Sequence, residues 1–163
     1  MSDVPESRPA NIRFGAAVYG SFLVASVIGL AYETGQDAHV MTTAALGSAV
    51  VFWLAHWWSE ALGEQITVGD EFRHRDVLVV ARREWPLVEA AVVPTALLAL
   101  AWAGVWSRET GAELALAVAV LQIIGWALVA GRRAGWTWLR TGVFASGQGT
   151  LAVVLLLLER VVH

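Results

Sequence analysis

The stretch that decides the fold is Val40–Leu62, VMTTAALGSAVVFWLAHWWSEAL. It is apolar almost throughout. At 1.5 Å per helical residue it is long enough to cross the ~30 Å hydrocarbon core of a bilayer, which takes ~20 residues. Four further stretches on either side of it have the same character. The sequence therefore predicts an all-α membrane protein with five transmembrane helices, at about 12–32, 40–62, 86–106, 112–130 and 139–158. They form a single integral membrane domain over 1–163, with a polar N-terminal tail at 1–11 and one longer connection at 63–85. The first apolar run is long, follows Asp3 and Glu6, and is trailed by no small-residue cleavage site. It is expected to remain as a span and not to be removed as a signal peptide. Gly147, Gln148 and Gly149 weaken the fifth segment as a helix in water, but such residues are tolerated inside membranes.

Composition narrows the chemistry. Of 163 residues, 57% are hydrophobic and 15% charged, so the chain has far too much apolar surface to be disordered. There is no Cys, which excludes disulfide scaffolds, thiol redox motifs and thiolate metal sites. All eleven basic residues are Arg, which excludes cofactors held by a lysine Schiff base. No cofactor is implied. Nucleic-acid binding is not expected, because the isoelectric point is near 5.8 and topology accounts for the Arg clusters.

Arginine placement gives an orientation. With the N-terminus inside, Arg8, Arg13, Arg73, Arg75, Arg82, Arg83, Arg132, Arg133 and Arg140 all fall on the inner side. Only Arg108 and Arg160 fall outside, so the C-terminus is outside and the span number is odd. Tryptophans 57, 58, 85, 136 and 138 sit near the inner boundary and Trp106 near the outer one, as aromatic belts do. The acids Glu33, Asp37, Glu109, Glu113 and Glu159 give the outer side a negative balance, which concentrates cations. Within the long connection, Asp70–Glu84 reads DEFRHRDVLVVARRE and places Phe72, Val77, Val80 and Ala81 on one helical face. This predicts a short amphipathic cytoplasmic helix at about 70–84, lying on the membrane surface.

The informative residues are ionisable ones inside apolar helices, where an unpaired charge is expensive. His56 and Glu60 are four residues apart on one face of the second span. By helical rise, His56 lies ~9 Å, Glu60 ~3 Å and Glu89 ~5 Å inside the inner boundary, so the three share one depth band. The band has two readings. It is a site that relays protons or holds a cation, or it is interfacial glue in which Glu60 and Glu89 pair with Arg13 or Arg140. A metal-dependent intramembrane enzyme is less favoured, since HWWSE offers one His where hydrolytic zinc motifs have two. Gln122 and Gln148 lie near mid-membrane, where an amide faces a neighbouring helix or a wet path. Pro94 interrupts the third span and is a hinge candidate. Ala17, Ser21, Ala25 and Gly29 make a seam of small residues, either internal or between copies. Similar seams run through Ala115, Ala119 and Gly125, and through Thr141, Ala145 and Ala152.

These residues favour a small oligomeric channel or transporter for protons or small cations, with His56, Glu60, Glu89, Gln122 and Gln148 on its pathway. The alternative is a non-catalytic assembly or regulatory partner of another membrane protein. The expected partners are the lipid bilayer and either further copies of the chain or a second membrane protein. Arg without Lys, amid many Ala, Val and Gly, points to a GC-rich bacterial genome and hence to a bacterial plasma membrane.

Overall fold

The computed structural model describes the backbone of residues 9–68 and 74–162 and the side chains of residues 14–67 and 77–158. The described residues form six helices: α1 (Pro9–Glu33), α2 (Ala38–Val68), α3 (His74–Glu84), α4 (Pro86–Trp102), α5 (Arg108–Arg133) and α6 (Trp138–Val162). Five helical runs are long and apolar enough to cross a membrane.

Three helix ends use one device. Gly35, Gly104 and Gly135 have φ of 72°, 80° and 74°, the left-handed region that only glycine enters at little cost. In each case the next N–H returns to a carbonyl five residues earlier: Gln36 to Ala31, Val105 to Leu100 and Trp136 to Gly131, at 2.9–3.0 Å. This satisfies a carbonyl left over at the helix end and turns the chain sharply. The next helix starts on a short polar side chain. Ser107 Oγ accepts from Thr110 N at 3.1 Å, and Thr137 Oγ1 accepts from Arg140 N at 3.3 Å.

The boundaries depart from expectation at three places. The third span ends at Trp102 and not at Trp106, because the Gly104 turn closes the helix. Trp106 then folds back, and its indole N–H donates to the Leu97 carbonyl at 3.2 Å. The apolar run of that span begins at Val77 rather than Pro86, because α3 and α4 are separated by Trp85 alone. Trp85 keeps helical dihedrals, φ −54° and ψ −32°. Pro86, which has no N–H to donate, is what separates the two helices. Finally, α2 continues to Val68 and not merely to Leu62. Its last turns are held by contacts to α3 described below. Of the expected helix at 70–84, α3 covers 74–84, and residues 70–73 lie outside the described residues. α6 runs unbroken through Gly147–Gly149.

Helix α1 sits at the centre. α2, α4, α5 and α6 pack on it and on each other in that order, forming an arc around it. α2 and α6, at the two ends of the arc, have no substantial contact among the described residues. The small-residue seam of α1 is internal: Ala17 and Ser21 are fully buried and Ala25 nearly so. On α5 the buried stripe is Ala115, Ala119, Ile123 and Ala127, with Gly125 to one side. On α6 it is Thr141, Ala145 and Ala152. Lipid tails are as apolar as Leu, so helices in a membrane associate through close packing of small residues. A Cβ on Gly20 would lie 2.5 Å from the Leu87 carbonyl oxygen, and one on Gly111 2.5 Å from Ala101 Cβ. Those distances measure how near α1 comes to α4, and α4 to α5.

This contact predicts a contrast. Gly20→Ala forces the α4 backbone aside and should cost about 1–3 kcal/mol. Gly47→Ala meets nothing within 4 Å and should be neutral or stabilising by up to ~1 kcal/mol. Apparent melting temperatures in mild detergent separate the two.

Candidate functional site

The site is built where the far half of α2 meets the α3–α4 joint. Trp53, Trp57, Glu60 and Glu64 recur at helical spacing and form one stripe along α2. The two indoles at its head tie down α3. Trp53 Nε1 donates to the Ala81 carbonyl at 3.0 Å, and Trp57 Nε1 to the Val77 carbonyl at 2.9 Å. Ala81 is in the last turn of α3, where carbonyls lose their intrahelical partners, so the first bond serves a group that needs it. Trp53 stacks on Trp57 with centroids 5.7 Å apart and meets Trp85 edge-on at 5.3 Å. Trp85 thus fixes the joint against α2.

The joint carries the charges. Glu84, its last residue on the α3 side, is only 2% exposed. A carboxylate enclosed to that degree persists only with charged or hydrogen-bonding partners. It has two: Arg83 Nε at 3.1 Å from Oε1, and His56 Nε2 at 3.4 Å from Oε2. The same Arg83 guanidinium reaches Glu64 at 2.7 Å and Glu60 at 3.5 Å. Three carboxylates therefore surround one arginine, and the imidazole of His56 borders the most enclosed of them. The His56 side chain is 44% exposed and stacks on Tyr19 of α1, with centroids 6.4 Å apart. One edge of the imidazole thus contacts a buried anion while much of the ring stays accessible. With His56 neutral the cluster carries an excess of negative charge.

The expected residues fall in different places. His56 and Glu60 belong to this cluster. Glu89 is exposed on α4, and the carboxylate against His56 is that of Glu84. The Arg13 side chain lies outside the described residues. The Arg140 guanidinium stacks over the Trp136 ring at 4.3 Å, at the α5–α6 turn. Gln148 lines a groove between α1, α5 and α6. Gln122 Oε1 is enclosed with no hydrogen-bond partner among the described residues, so the two amides are not bonded to each other through it. Pro94 is buried in α4, which runs through it, and the neighbouring Thr95 hydroxyl donates to the Ala91 carbonyl at 2.7 Å. Among the described residues, no three His, Asp or Glu side chains converge as a metal-holding set.

Sequence reasoning passed over Glu84 and Arg83, which read as the polar end of a surface stretch. A signal was present. A tryptophan and a proline directly after RRE fix a helix end there, and the α2 stripe of two indoles and two acids calls for a partner with free carbonyls and a cation.

Removing either indole donor tests the tether. Trp53→Phe or Trp57→Phe should each cost about 1 kcal/mol. Amide hydrogen exchange should rise across residues 77–84 and stay unchanged in α5. No known protein family, no curated protein and no solved structure matches this chain.

Proposed function

We propose that this chain is a multi-pass protein of a bacterial plasma membrane that takes up and passes protons or small cations at its inner end, working as a homo-oligomer. The observation that carries the reading is the His56–Glu84 contact, an accessible imidazole 3.4 Å from a carboxylate that is 2% exposed. Such a pair links solvent to a buried anion, the minimal equipment for loading a proton or cation at a membrane boundary. In this reading the N-terminus is inside, because Arg82, Arg83, Arg132, Arg133 and Arg140 then all lie on the inner side and Arg108 on the outer. α3 lies along the inner surface with Arg82 toward the headgroups. The path runs between copies. In the half of the bundle around Arg108, Val24, Ile28, Met41 and Leu98 are all fully buried, which closes the faces of α1 toward α2 and α4.

A second reading, an accessory protein bound to another membrane protein, draws support from α3. Leu78 and Val79 are 61% and 62% exposed on a helix that Arg83 clamps firmly to α2.

Flux into proteoliposomes under an imposed membrane potential tests the first reading for protons, Na⁺ and K⁺. Wild type should conduct at least one of them above empty vesicles, and His56→Ala and Glu84→Gln should each fall to near that background. Absence of flux for all three ions, or unchanged flux in both variants, overturns it. The accessory reading then predicts that deleting Asp70–Arg83 abolishes copurification with a membrane partner.

A further inference from the structure

The open side of the helix arc holds a groove of about 470 Å³ between α1, α5 and α6. That volume lies within the ~300–1,000 Å³ typical of ligand sites. Its walls are apolar and largely aromatic: Phe14, Phe22, Trp136 and Phe144, with Gly15 leaving space between them and Gln148 as a polar group. Trp136 and Phe144 meet edge to face at 5.4 Å. They form a rib, and on its far side lies a second, shallower hollow of about 500 Å³ lined by Leu139, Arg140 and Val143.

The rim is cationic. The Arg133 guanidinium lies over the Phe14 ring at 5.2 Å, and Arg140 over the Trp136 ring at 4.3 Å. Both of these rings are walls of the groove. Arg132 lies nearby over Trp138 at 4.3 Å. Among the described residues none of the three has a carboxylate partner, whereas Arg83 has three and Arg108 has Glu109. A guanidinium stacked on an aromatic face keeps its N–H edge available for the oxygens of a phosphate.

Apolar walls, two hollows either side of one rib and a rim of arginines without acids describe one kind of occupant. We propose that the groove holds an anionic two-chain phospholipid. One acyl chain lies in the groove along α1, the other in the neighbouring hollow, and the phosphate sits on Arg133 and Arg140. A second copy of the chain fits less well, since a copy in the same orientation brings its own arginines to the same depth. The inference uses only the groove and its rim, and it holds for either reading of function.

The test is lipid retention by the full chain. Protein is reconstituted in mixed phosphatidylcholine–phosphatidylglycerol bilayers, re-extracted in mild detergent, and its bound lipid counted by native mass spectrometry. Wild type should hold phosphatidylglycerol in preference to phosphatidylcholine. The double variant Arg133→Gln, Arg140→Gln should lower phosphatidylglycerol retention roughly tenfold. Gly15→Phe should also expel it, by filling the groove. A Cβ at Gly15 meets nothing within 4 Å, so the new side chain leaves the backbone into open space. Equal retention of both lipids by wild type overturns the proposal, as does unchanged retention in the two variants. An oligomer that dissociates on Gly15→Phe without loss of lipid also overturns it, and assigns the groove to a second copy.

Discussion

The rest of the structure depends on how closely a membrane helix lets its neighbours approach. In lipid there is no water to drive helices together, so contact must come from van der Waals packing at short range. α1 meets this condition with small residues on its packed faces. Ala17 and Ser21 are fully buried, and Gly20 touches the backbone of α4. The Ser21 hydroxyl donates to its own helix at Ala17, so its polar atom adds no demand on a neighbour. Only a slim central helix can carry four others, and only then does the arc from α2 to α6 follow.

A second constraint follows at the α3–α4 joint. Pro86 stops one helix and begins the next with a single residue between them. No loop is available to carry Glu84 out to water. The carboxylate is folded onto α2 and must be matched there. Arg83, adjacent in sequence, provides the nearest charge, and His56 completes the set from the opposite helix. An ion pair this enclosed contributes little net stability compared with apolar packing of the same volume, because desolvation offsets most of the attraction. Its clear structural result is positional. It fixes the register of α3 on α2, together with the two indole bonds.

The five spans were legible in the sequence because hydropathy over about twenty residues is a long, redundant signal. So was the shared apolar face of Val80 and Ala81, both buried on α3. The membership of the site was legible only in half. His56 and Glu60 stand out because they interrupt an apolar helix. Glu84 does not, since it ends a run rich in arginine, and its burial is created by tertiary contact with α2. Depth alone paired His56 with Glu89, but depth says nothing of azimuth. Five residues separate Glu84 from Glu89, well over one helical turn, and they lie on opposite sides of the proline break. Arg140 failed as a carboxylate partner for a related reason. Its guanidinium lies over the face of Trp136, and no carboxylate among the described residues forms an ion pair with it.

The two ends of the bundle are built differently, and this decides where chemistry can reside. At the Arg108 end the turns are locked together. Arg108 donates to the Gln36 carbonyl at 3.0 Å and lies over Tyr32 at 4.9 Å. The apolar core beneath, from Val24 and Ile28 across to Met41, Leu98 and Ala112, has no exposed member. At the other end the bundle is less closed. There α1 sets the aromatic rings Phe14, Tyr19 and Phe22 beside its small residues. α2 and α6 stay apart, and Tyr19 is left 48% exposed between them. That one ring both lines the groove and stacks on His56. The ion cluster and the groove are therefore not independent features but two sides of the same opening. An occupant of the groove touches a residue that touches the imidazole. A reading of this chain that places its activity at the packed end has one groove of about 230 Å³, bordered by Glu33 and Glu113, but no enclosed carboxylate among the described residues to set beside it. One that places it at the open end has both, one aromatic ring apart.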